Sequence, residues 1–266
     1  MTFPDYEVFA LRYGSLSERQ AAQNFLHADG HNGAMPLDFY VWAIVGHGRT
    51  IVVDTGYGPE GAARRGRKFM CTPVDALQGA GIAAADVQDV VLTHLHYDHA
   101  GNIGAFEGAK FHIQDAEMAF CTGRCMCQDY FRIPMEAEDV VQAVRYLYAG
   151  RMQFHDGDGT LAPGITVHKV GGHSRGLQVV RVHTPRGWVV LASDATHFWG
   201  NIRTRNPFPV ITDVQESLAA YERVERLADG PDHIIPGHDP AVLSMFPALD
   251  GNPEIVRVSA DPVRAS

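Results

Sequence analysis

Cysteine is scarce in this chain, with four in 266 residues at positions 71, 121, 125 and 127. No Cys-x2-Cys pair occurs, which sets aside structural zinc modules of the finger and ribbon kind, and four thiols give no dense disulfide framework. The run Cys121, Cys125, Cys127 matches no zinc spacing and has no second half, so these thiols are expected to be free. Basic charge is also short, 22 Lys and Arg against 31 Asp and Glu, for a formal net charge of −9. A nucleic-acid partner would call for a basic face, and the composition offers none. The one basic cluster, Arg64-Arg65-Gly66-Arg67-Lys68, reads as a solvated loop or as a lid over a site. No apolar run approaches the roughly 18 residues of a membrane span. The N-terminus has neither the basic start nor the apolar stretch of a secretory signal, so the expected location is the cytoplasm, with no membrane partner.

Apolar residues make up 45% of the chain, enough for one substantial α/β domain over residues 1–266. Strand patterns fall at Glu7–Leu11, Phe39–Val45, Arg49–Val53, Val90–Leu92, Phe111–Gln114, Ile165–Val170, Gln178–His183, Trp188–Ala192 and His233–Ile235. Two tight connections, Gly46-His47-Gly48 and Pro185-Arg186-Gly187, predict hairpins. Helices are expected over Thr72–Ala80, Asp115–Phe120, Glu138–Tyr148 and Val214–Ala228, the first capped by Thr72 ahead of Pro73. Residues 14–37 read as an irregular loop, either a binding loop or a cover for the core, and residues 240–266 as a peripheral tail.

The densest chemistry lies in Thr93-His94-Leu95-His96-Tyr97-Asp98-His99, three imidazoles and a carboxylate in seven residues just after an apolar strand. Imidazole nitrogen and carboxylate oxygen are the donors zinc prefers, and a loop leaving a strand can aim several of them at one point. With 14 His in the chain, one i, i+2 pair would mean little; three with an interposed Asp point to a metal. The other candidates also sit where strands stop: His173 in Gly171-Gly172-His173-Ser174, Asp194 after Ser193, and His238 in Pro236-Gly237-His238. Asp54, at the end of Arg49–Val53, either fixes a ligand histidine by hydrogen bonding or merely starts a turn before Gly56.

Taken in order, Asp54-Thr55-Gly56, the block from His94 to His99, Gly172-His173-Ser174, Ser193-Asp194 and Pro236-Gly237-His238 resemble the metallo-β-lactamase superfamily over about residues 38–240. That resemblance implies an αββα sandwich, two sheets inside and helices on both faces. It also implies two metals: His94, His96 and His173 on the first, Asp98, His99 and His238 on the second, and Asp194 between them, with a shared hydroxide. Zinc suits these donors, and manganese, iron or cobalt could occupy them. Within the superfamily the chain is most similar to N-acyl homoserine lactonases and related lactone hydrolases, through its long N-terminal loop and the stretch Ser193 to Phe198. The implied reaction is lactone opening, with Asp98 ligating metal and orienting the nucleophile. Those enzymes usually carry Tyr three residues after the bridging Asp, where this chain has His197, which either takes over the role of hydrogen-bond or proton donor or packs structurally under Trp199. Phe25, Leu26, Met35, Phe198, Trp199 and Phe208 are candidates for an apolar pocket or for core. A thioesterase or other ester or phosphoester hydrolase on the same metals, and a non-catalytic metal-binding protein, are the rival readings.

Overall fold

Period-two alternation decides the layering. In the strand Glu7–Leu16, Val8 and Ala10 face one way while Phe9, Leu11 and Tyr13 face the other, and in Leu37–Gly46 Tyr40, Trp42 and Ile44 oppose Phe39, Val41 and Ala43. Both faces are apolar, so this sheet must be covered on both sides. In the computed structural model, which describes residues 3–28 and 32–263, it is. Among the described residues nine strands form the larger sheet and five the smaller.

Three apolar clusters fill the gaps between layers. One lies between the large sheet and the helices bearing Ala76, Leu77, Met118 and Ala143. A second lies between the two sheets, where Trp42 and Val53 meet Val167, Val180 and Leu191. The third lies between the small sheet and the helices Trp199–Thr204 and Val214–Leu227, through Ile202, Tyr221 and Val224. The result is the expected four-layer αββα sandwich.

Both expected hairpins form. Leu37–Gly46 pairs with Arg49–Val53 through His47 and Gly48, which both take positive φ, 52° and 72°, the pattern of a tight turn whose twist suits the strands. Gln178–Thr184 pairs with Gly187–Ser193. Arg49–Val53, Asp89–Val91, Lys110–Gln114 and Met152–His155 run parallel, as do Gly187–Ser193 and Ile234–Pro236 in the other sheet. Ligands in such α/β systems bind beyond the carboxyl ends of the strands, and that is where this chain gathers its histidines.

The N-terminal strand runs on to Leu16, so the irregular segment starts later than position 14; it includes a short turn at Ala21–Gln23 and a bridge between Gln20 and Ala34. Positions 29–31 lie outside the described residues. The stretch after 240 is not peripheral. Asn252–Arg257 pairs antiparallel with Glu7–Leu16, and Val242, Phe246, Ile255, Val256 and Val258 are buried. Its alternating apolar positions are split by Pro and Asp, which hid a strand of ordinary burial pattern. The strands Met152–His155 and Asp158–Ala162 were also not legible, because Gly157, Asp156 and Asp158 interrupt any alternation there. All four cysteines are free thiols, as expected.

Candidate metal centre

Strand ends deliver the site. The chain leaves Asp89–Val91 through Leu92 and Thr93 and enters a one-turn helix at Tyr97, which turns His94, His96, Asp98 and His99 toward one another. His173 arrives from the loop after Ile165–Lys169, Asp194 from the end of Gly187–Ser193, and His238 from the end of Ile234–Pro236. Three overlapping groups of potential ligand atoms result, each within 4.8 Å: His94, His96, His173 and Asp194; Asp98, His99 and His238; Asp194, His197 and His238.

Asp194 and His238 each belong to two of these groups, and Asp194 approaches five of the histidines. Asp194 Oδ2 lies 3.1 Å from His173 Nε2, 3.1 Å from His197 Nε2 and 3.8 Å from His94 Nε2, while Oδ1 lies 2.9 Å from His238 Nε2 and 3.3 Å from His99 Nε2. Asp98 Oδ2 stands 3.9 Å from both His99 Nε2 and His238 Nε2. The carbonyl ends that hold Asp194 are tight: a Cβ on Gly237 would come within 2.8 Å of Asp194 Oδ1 and 2.7 Å of the Ser193 carbonyl. Ser193 and Asp54 both sit at positive φ, 45° and 63°, strained backbone of the kind that concentrates at functional sites.

The outer nitrogens of three of these rings, His94, His99 and His238, are tied down. Asp54 accepts from Thr93 N at 2.7 Å and Thr93 Oγ1 at 2.8 Å, and holds His99 Nδ1 at 2.7 Å, so its role is to fix a candidate ligand rather than merely to start a turn. His238 Nδ1 meets the Asp38 carbonyl at 2.8 Å, and His94 Nδ1 meets Thr93 Oγ1 at 3.1 Å. Their inner atoms are another matter. His94 Nε2 and His99 Nε2 are buried without a hydrogen-bond partner among the described residues, and Asp194 Oδ1, although close to His238 Nε2 and His99 Nε2, meets neither with hydrogen-bond geometry. Buried polar atoms are normally satisfied, and these converge on one point with their outer nitrogens anchored. A divalent cation satisfies such a donor set; the residues present fit one.

Charge tells the same story. Burial lowers His94 and His96 well below the usual imidazole range, which keeps them neutral and able to ligate. For His99 burial also acts downward, but Asp194, Asp54 and Asp98 outweigh it and raise the group. Asp194 is itself held well below the carboxylate range: burial works upward, and the surrounding His197, His238, His99 and His173 overcome it.

The family model for the metallo-beta-lactamase superfamily matches residues 39–238. The chain belongs to that superfamily. Among curated relatives it is 28% identical to an N-acyl homoserine lactonase of Bacillus cereus, over 71% of this chain and 76% of the relative. It is 25% identical to a probable metallo-hydrolase of Mycobacterium tuberculosis, over 73% of this chain and 68% of the relative. Among solved structures, an N-acyl homoserine lactone hydrolase with N-hexanoyl-L-homoserine bound at its catalytic metal centre superposes with a TM-score of 0.72 at 22% identity, covering 91% of this chain and 96% of that one. At that identity the superposition speaks for the fold.

Against this superfamily background His197 stands out. The indole of the nearby Trp199 donates to the Ile234 carbonyl at 2.8 Å. His197 faces the cluster, and its ring stacks on Phe208 with centroids 3.7 Å apart and planes 5° from parallel. Burial pushes the His197 imidazole down to about 3, with Asp194 pulling the other way, so it is neutral at physiological pH. Its Nε2 lies 3.1 Å from Asp194 Oδ2.

A small cavity of about 100 Å³ opens onto the cluster. Of the six apolar residues singled out in the sequence, only Phe208 lines it; Phe198 and Trp199 are core, and Phe25, Leu26 and Met35 lie elsewhere. The walls come instead from Leu16, Leu37, Phe39 and Val210. Of the basic cluster at 64–68, Arg67 alone reaches the cavity, while Arg64 and Arg65 pair with Glu136.

Sequence reasoning also missed Glu117. Fully buried, it accepts from Leu95 N and Gly176 N at 2.9 Å each and from Ser174 Oγ, which locks the His94–His96 loop to the His173 loop. The signal was available: a carboxylate on the same buried helix face as Met118 and Cys121.

Proposed function

We propose that this protein is a metal-dependent hydrolase that opens a lactone ring, working with two zinc ions per chain. The observation that carries the reading is the buried set of inward-facing ligand atoms with no partner among the described residues, arranged around Asp194. The lactonase and metallo-hydrolase relatives support the choice of reaction. His94, His96 and His173 would hold one ion and Asp98, His99 and His238 the other, with Asp194 common to both. When bound, the ions acidify water and polarise an ester carbonyl.

The remaining work falls to side chains. Asp98, the least buried of the carboxylates in the cluster, lies at the cavity wall, where it can accept a proton from attacking water and orient it. His197 lines the same wall as a neutral imidazole and presents an N–H to an oxygen beside Asp194, the place for a leaving alkoxide. Phe208 holds that ring flat and excludes water from its outer face. Ring opening yields a hydroxy acid and releases a proton.

Acid release tests the reaction. In a pH-stat, zinc-loaded protein should open small lactones and lose that activity on chelation. Turnover confined to thioesters or phosphoesters would replace the lactone reading, and two bound metals with no turnover on any of the three classes would leave a metal-binding protein.

A further inference from the structure

Two guanidinium groups flank the mouth of the metal centre. Arg19 and Arg67 both line the cavity onto which His96, Asp98, Asp194 and His197 open. Arg19 Cζ sits 4.9 Å from the centroid of Phe208, the ring that stacks on His197, so Arg19, Phe208, His197 and Asp194 form a continuous pile leading to the cluster. Arg67 lines the same cavity and donates through Nε to the Tyr97 hydroxyl at 2.9 Å, one residue from Asp98. The two are close enough to repel: burial first, and Arg67 second, pull Arg19 below the usual arginine range.

Both side chains are positioned but not used up. Arg19 is braced by Asn24 Oδ1 and by the Gln23 carbonyl at 2.7 Å, and Arg67 by Tyr97 and the Arg65 carbonyl at 3.0 Å. A guanidinium has five N–H donors, so each keeps several for another acceptor. Among the described residues neither forms an ion pair with a carboxylate within 4 Å, whereas Arg12, Arg64, Arg65 and Arg186 all do. In a chain of net charge −9, two like charges brought together at a partly buried mouth are an arrangement that folding alone does not favour.

We propose that the substrate of this site is a small lactone carrying a carboxylate, which Arg19 and Arg67 bind while the ring carbonyl faces the cluster. A planar carboxylate is the compact group that takes two-point contacts from a guanidinium fork. The cavity of about 100 Å³ suits a substrate of this size better than one with a long acyl tail. The reaction rests on the lactone-opening reading above; the demand for an anion rests on the arginines alone.

Two measurements separate these. The first compares kcat/KM for 5-oxotetrahydrofuran-2-carboxylate with that for its primary amide, a neutral lactone of nearly the same shape. The second measures by calorimetry the binding of the ring-opened acids, 2-hydroxyglutarate against 4-hydroxybutyrate, which lacks the second carboxylate. The wild-type holoenzyme should favour the acid lactone and the dicarboxylate by about tenfold or more, the scale of a charged hydrogen bond. In Arg19→Met and in Arg67→Met that ratio should fall toward one, and Arg19→Lys should give an intermediate ratio, since it keeps the charge but not the fork. Arg67→Met also removes a brace on Tyr97, so Arg19→Met, on an outer loop, carries the test if the former melts early. Equal affinity of the wild type for the two acids, including no detectable binding of either, overturns the proposal, as does a ratio unchanged in Arg19→Met. If the dicarboxylate is preferred in the arginine-dependent way but no lactone opens, the lactonase reading fails and the anion site stands.

Discussion

Glu117 touches none of the candidate ligand atoms, yet it sets where two of their loops lie. Its carboxylate takes N–H donors from the His94–His96 loop and from the His173 loop at once, in a fully buried setting. Glu117→Gln should turn an amide NH2 against one of these donors. The expected result is a loss of stability of about 2 kcal/mol in urea unfolding and metal affinity weakened by roughly 10- to 100-fold. Unfolding and metal affinity both at wild-type values would show that the loops hold themselves. His197 makes a different demand at the same scale. His197→Phe keeps the stack on Phe208 but removes the N–H that faces Asp194, so turnover should fall by about 100-fold with metal content intact. Unchanged turnover in a fully loaded variant would remove its role as donor. Local spacing marked the block from His94 to His99, and the strand-end residues His173, Asp194 and His238, as candidates, because each stretch follows an apolar strand and strand ends can gather at one edge. Glu117, Arg19 and Arg67 were not legible, since what they do depends on which loops face one another across the cavity, and no local pattern records that.

At the level of elements, the strands with clean alternation or a tight turn between them were readable: Leu37–Gly46 with Arg49–Val53, and Gln178–Thr184 with Gly187–Ser193. Asn252–Arg257 was not, because its reason for being a strand is the open edge of Glu7–Leu16, some 240 positions away in the chain. Long-range pairing of that kind overrides a weak local preference. The helix Ala137–Tyr148 brings a titration prediction. Burial, helped by the neighbouring Glu136, pushes the Asp139 carboxyl up to about 7, against the pull of Arg64 and Arg65. The folded state therefore binds this proton more tightly than the unfolded chain, whose Asp titrates near about 3.9. Stability from this group is fully present below the unfolded value and is lost as pH rises through 7. Asp139→Asn, which stays neutral, should melt at a higher temperature than wild type at pH 8, the gap closing by about pH 4. A gap of equal size at both pH values would mean that the effect comes from packing or from the helix terminus instead.

Across the whole molecule, both sheets contribute to one site. The larger supplies Asp54 and the block from His94 to His99, the smaller His173, Asp194 and His238, and the apolar layer through Trp42, Val167 and Leu191 fixes one half against the other. Burying six imidazoles and the Asp194 carboxylate about one point is unfavourable unless something cationic answers them, so loading the centre should stabilise the folded state as well as arm it. Among the described residues no helix is long and apolar enough to cross a membrane. The central claim is that this cluster is a two-metal centre with Asp194 in common. Its most direct test is the zinc stoichiometry of reconstituted, desalted protein by plasma mass spectrometry, beside Asp194→Asn. The account predicts two zinc ions per chain for the wild type and one or fewer for the variant; a single ion in the wild type, or two in the variant, would contradict it.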